Sequence, residues 1–111
     1  MLCNVTQKKI LVERPYLAVK WRDRARGMIG RDFDQIGAMI FPHCSSIHTW
    51  FMKKPIDIIF LDRQKRILSF EIFVKPWRMI SGPTGTKNVI ELPGGRLSGV
   101  SLFCNDMLAW P

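Results

Sequence analysis

The sequence predicts a mainly β domain, a compact antiparallel β-sandwich or barrel-like sheet with one short helix. Three observations predict it. Apolar residues gather in short runs rich in β-branched and aromatic types, the composition of strands. Gly, Pro, Asn and Asp punctuate those runs at close intervals. No long helical pattern alternates with them, which argues against a doubly wound parallel sheet. Length and composition agree: 111 residues fit one domain, and 47% hydrophobic with 23% charged residues is globular usage.

The elements follow in order. Lys9–Glu13 and Tyr16–Trp21 read as strands on either side of Arg14-Pro15, either a hairpin or one strand bent at the proline. Asp23 is placed to cap a short helix over Arg24–Ile29, which Gly30 would end. Gly37–Phe41 is a short apolar strand stopped by Pro42, and His43–Ser46 a loop. Ile47–Met52 is β-branched and aromatic, hence a strand. Ile56–Leu61 is almost continuously apolar, the pattern of a strand covered on both faces. After the polar turn Asp62–Lys65, the strand Ile67–Val74 alternates, with Leu68, Phe70, Ile72 and Val74 on one side. A loop follows Pro76, with turn residues Ser81, Gly82, Pro83 and Gly85. Asn88–Leu92 is a strand closed by Pro93-Gly94-Gly95, and Met107–Trp110 a last strand.

Charge and cysteine usage narrow the functional classes. Seventeen basic and nine acidic residues leave a net charge of +8, which favours anionic partners: nucleic acid, an acidic lipid surface or an acidic protein. No helix-turn-helix, RNA-recognition or zinc-finger pattern occurs, which argues against nucleic acid. Cys3, Cys44 and Cys104 form neither a disulfide framework nor a zinc spacing, so reduced thiols and a cytoplasmic location are expected. The first residues lack the apolar stretch of a signal peptide, and no run is long enough to span a membrane. Pro93-Gly94-Gly95 precedes neither a lysine–serine pair nor a helix signal, so it reads as a tight turn; no cofactor and no metal are expected.

The candidate chemistry concentrates between Ile36 and Asp62, where both histidines lie. On a strand Ile47–Met52, His48, Trp50 and Met52 share one face. A histidine beside Trp and Met makes an apolar wall with one polar handle, the usual make-up of a small-ligand site. Lys53 follows at the strand end, and Met39 or Glu91 is expected opposite. Asp57 sits amid Ile56, Ile58 and Ile59, so it is expected to be buried and paired with a cation, Arg26 or Lys53. Arg22, Arg24, Arg26 and Arg31 cluster around the short helix, and Arg22 and Arg26 would share a face. His43, Cys44 and His48 offer a cysteine–histidine pair without an assignable third residue.

The ordered segments carry a resemblance. Ala25-Arg26-Gly27-Met28-Ile29-Gly30-Arg31, Gly37-Ala38-Met39-Ile40-Phe41, Ile47–Lys53, Ile56–Asp62 and Val89–Gly95 resemble the motifs ARGLMFR, GMLF, WMK, LD..F.D and VLELPAG. They belong to a family known as domain of unknown function 192, found in bacteria and archaea. Asn105-Asp106 stands where that family usually has Gly-Asp. The resemblance implies a compact, mostly β domain and imports no reaction; many relatives look exported. Three function classes remain. One is a small-ligand binding or accessory module, with Met39, His48, Trp50, Met52, Lys53 and Glu91 lining a site for a small anion. One is a hydrolase or transferase-like enzyme, with His48 as base and Asp57 or Glu91 as its orienter. The third is a basic interaction protein that docks an acidic partner.

Overall fold

The computed structural model describes residues 1–18, 37–49 and 52–111. Through them run β1 (Leu2–Asn4), β2 (Lys9–Val12), β3 (Tyr16–Leu17), β4 (Met39–Pro42), β5 (Ser46–His48), β6 (Ile56–Leu61), β7 (Ile67–Val74), β8 (Met79–Ser81), β9 (Asn88–Pro93) and β10 (Leu108–Ala109). No helix among the described residues is long and apolar enough to cross a membrane. The expected helix over Arg24–Ile29 lies outside the described residues.

A five-stranded sheet of order β3-β4-β9-β6-β7 forms the centre. Its β3–β4 pair is parallel and its other pairs are antiparallel. β6 is buried along its whole length, as its unbroken apolar run requires. Successive residues of a strand face opposite ways, so β6 feeds two separate cores. Ile59 and Leu61 pack with Leu2, Val12, Leu102 and Leu108, beneath the three-stranded sheet β10-β1-β2. Ile56, Ile58 and Phe60 pack on the other face with Met39, Ile47, Met52 and Ile80, beneath the two-stranded ribbon β5-β8. The architecture is therefore a β-sandwich with the large sheet in the middle.

Six elements depart from expectation. β2 and β3 are neither a hairpin nor one continuous strand: β2 pairs with β1, and β3 with β4 in the other sheet. Pro15 between them lacks an N–H for either ladder and marks the crossover. β8 occupies residues expected to be loop, and β1 a segment given no element, because strands this short carry too few residues to display a period. β5 ends at His48 rather than Met52, since the Met52 amide turns back to donate to the Thr49 carbonyl at 3.3 Å. The single-sided alternation over β7 also fails. Ile58 pairs with Glu71 but Ile56 with Val74, so β7 carries an extra residue, a bulge that switches the side facing the core. Phe70 consequently packs on one core and Val74 on the other, leaving Ile72 exposed.

Candidate functional site

Asp57 is fully buried. Its neighbours in the chain face the ribbon, whereas Asp57, like Ile59, faces the core under the three-stranded sheet. Three backbone amides donate to its carboxylate. Phe73 and Gly95 reach Oδ1 at 2.8 and 2.9 Å, and Leu97 reaches Oδ2 at 2.7 Å. The expected partner Lys53 is not among these donors and is exposed; Arg26 lies outside the described residues. The amides are available because the chain is irregular on both sides of Asp57. Phe73 is the bulge residue, with φ of 60°, and Gly95 has φ of 86° in the turn that closes β9. That turn is the expected tight one, with Arg96 N–H donating to the Pro93 carbonyl. Asp57 is thus a latch joining the β7 bulge to the Pro93–Leu97 turn.

Glu91 sits on the opposite face of the same sheet. In register it lies between Met39 of β4 and Ile58 of β6, and both it and Met39 are buried. Met52 enters the same core. Met39, Met52 and Glu91 therefore belong to the layer between the central sheet and the ribbon. His48 occupies another tier. It alternates with the inward-facing Ile47 and pairs across the ribbon with the exposed Met79. His48 and Met52 thus do not share a strand face, because the turn at Thr49 breaks the alternation. Trp50 lies outside the described residues, as do Arg22, Arg24 and Arg31.

Thr49 organises the margin where these tiers meet. It is fully buried, and its carbonyl accepts the amides of Met52 at 3.3 Å and Trp77 at 2.9 Å. Its Oγ1 accepts the Arg78 amide at 2.8 Å and donates to the Lys75 carbonyl at 2.8 Å. Its own N–H donates to the Arg78 carbonyl at 2.8 Å. Exposed Lys53 follows Met52 directly in the chain. In the sequence Thr49 is one polar member of the Ile47–Met52 run, on the face opposite His48, and an isolated threonine in a strand-like run is ordinary β composition.

Two further observations bear on chemistry. The Cys44 thiol donates to the Ser46 carbonyl at 3.1 Å and packs against the ribbon core, the behaviour of a structural cysteine. Among the described residues no three His, Cys, Asp or Glu side chains cluster as a metal set. Asp106, of the last motif, accepts from Asn4 Nδ2 at 2.9 Å, Gln7 Nε2 at 2.7 Å and the Phe103 amide at 3.2 Å on one oxygen. The Asn4 side chain first, then Gln7 and the Phe103 amide, hold its carboxyl below the usual aspartate range, against the opposing pull of burial. Its sequence signal was the Asn105-Asp106 pair of the last motif. Two cavities lined by described residues, of about 450 and 270 Å³, lie elsewhere, beside Arg14 and Trp110 and beside Ile10 and Val100.

Comparison with known proteins gives the following. The DUF192 family model, described as "Uncharacterized ACR", matches residues 3–110. The UPF0127 protein of Thermococcus sibiricus is 30% identical over 115 residues, spanning 99% of this chain and 74% of that protein. The UPF0127 protein of Pyrococcus furiosus is 33% identical over 66 residues, spanning 60% of this chain and 56% of that protein. A crystal structure of a protein of unknown function from Novosphingobium aromaticivorans superposes with a TM-score of 0.75, over 87% of this chain and 74% of that one. At 24% identity this last likeness shows the fold alone.

Proposed function

The chain belongs to the DUF192 family, and from that premise we propose that it is a small-ligand binding module acting at the margin of the ribbon. The observation that carries this reading is the stacking of two tiers at Thr49. Below it lies an apolar floor, Met39 and Met52, with the buried carboxylate of Glu91 set into it. Above it stand His48 and the exposed cation Lys53. Such a margin suits a small anion: Lys53 supplies a point charge and His48 a polar handle, over a packed apolar layer to which Met39 and Met52 belong.

The catalytic alternative is weakened at one residue. Asp57 cannot orient His48, because it faces the other core and its oxygens already accept three amides. Glu91 is the orienter left to it. The free thiols of Cys3, Cys44 and Cys104 support a reducing, cytoplasmic setting for the module.

The test is a titration with small carboxylates and phosphate monoesters, read from backbone amide shifts. A binder is expected to move the amides of His48, Met52 and Lys53. Lys53→Ala is expected to weaken it at least about fivefold, the scale of one charge-assisted hydrogen bond. Shifts confined to other surfaces, or affinity indifferent to Lys53, would reject the assignment.

A further inference from the structure

Within residues 72–79 four large apolar side chains face solvent: Ile72 at 43% exposure, Phe73 at 57%, Trp77 at 63% and Met79 at 65%. Exposed Lys75 and Arg78 are interleaved with them. Exposed Lys53 and Lys54 adjoin the same stretch, because Ile56 pairs with Val74 and the Met52 and Trp77 amides share the Thr49 carbonyl. Clustered exposed apolar side chains on a soluble surface mark a contact site more often than chance.

Two of these residues are also among the six non-glycine residues with left-handed backbone in the described chain. Phe73 has φ of 60° and Trp77 φ of 66°. Left-handed conformations belong to Gly and Asn, and a bulky residue there costs roughly 1–2 kcal/mol. The fold needs these two conformations, one for the bulge over Asp57 and one for the turn into β8. It does not need aromatic side chains to supply them. Both aromatics sit where they weaken the fold and point much of their surface at water, so their placement is explained by what they meet.

We propose that this stretch docks on an anionic lipid bilayer. Trp and Phe favour the boundary between headgroups and acyl chains, and flanking Lys and Arg meet acidic headgroups. Ile72 and Met79 extend the apolar contact but offer no ring on which a nucleic-acid base would stack, which favours lipid over a single strand. The net charge of +8 supplies the longer-range attraction.

Flotation of the full chain with vesicles tests this, comparing phosphatidylcholine alone with phosphatidylcholine carrying phosphatidylglycerol. The chain is expected to float with the anionic vesicles and not with the neutral ones. Phe73→Gly keeps the amide that Asp57 needs and relieves the positive φ, so urea stability is expected to hold or rise while binding falls. Trp77→Gly and the pair Lys75→Ala with Arg78→Ala are each expected to weaken binding about tenfold. The pair Lys9→Ala with Arg63→Ala removes the same charge elsewhere and is expected to change it less than twofold. No flotation with anionic vesicles at low salt would overturn the proposal, as would equal losses from both double variants. Tighter binding to oligothymidylate or polyglutamate would overturn it too, in favour of a nucleic acid or an acidic protein.

Discussion

Three amide hydrogens converge on Asp57, and none of them belongs to a side chain. A buried carboxylate was legible in the sequence, because a charge amid isoleucines has to be compensated. The compensating groups were not legible, since every residue carries an amide and only the bulge and the Gly95 turn free these three. Asp57→Ala strands three donors, the Leu97 amide in the buried interior and the Phe73 and Gly95 amides partly buried, and each buried orphan costs about 1–3 kcal/mol. A loss of at least about 3 kcal/mol in urea unfolding is expected. A loss under about 1 kcal/mol would mean that water takes over the donors and Asp57 latches nothing. Departures from the family motifs make sense at this scale as well. Asn105 replaces the usual glycine at φ of 73°, where asparagine is the best tolerated alternative. Gly94 replaces the motif's alanine where an added Cβ would stand 2.7 Å from the Pro55 carbonyl oxygen.

Elements were legible in proportion to the length of their pattern. β6 and β9, with six residues each, were found within a residue of their ends. The ribbon was half missed, because β5 and β8 have three residues each and are held in place by one buried threonine. The same turn undid the expected cleft: it sends Met52 inward with Ile47 and leaves His48 in the other tier. Thr49→Val preserves shape while removing both bonds of Oγ1. The expected cost is about 1–3 kcal/mol, with the larger effect local. Amide exchange at Arg78 is expected to quicken far more than in β6 or β9. Uniform quickening would show that the loop and the central sheet open as one unit.

At the scale of the whole molecule, the central sheet separates what proximity in sequence joined. Asp57 and Ile58 are adjacent, yet they serve different cores. Asp106 works over a long span, binding Asn4 across a separation of 102 residues. Its lowered folded pKa fixes the sign of a pH effect. The stabilisation is present above the unfolded aspartate value of about 3.9 and is lost as pH falls through the lower folded value. Asp106→Asn is therefore expected to flatten the acid limb of the stability profile below about pH 4, relative to wild type, in unfolding followed at several pH values. An unchanged acid limb would assign it to other carboxylates. That long stitch accompanies the pairing of β1 with β10, and this pairing has a kinetic meaning. During synthesis the β1–β2 hairpin emerges long before the strand that completes its sheet, because β10 lies far downstream in the chain. Until then β1 offers an open row of backbone donors and acceptors, the kind of edge that recruits a neighbouring chain. Nascent chains on crowded ribosomes are thus open to intermolecular strand pairing until β10 emerges, and slowed translation between β2 and β10 lengthens that exposure.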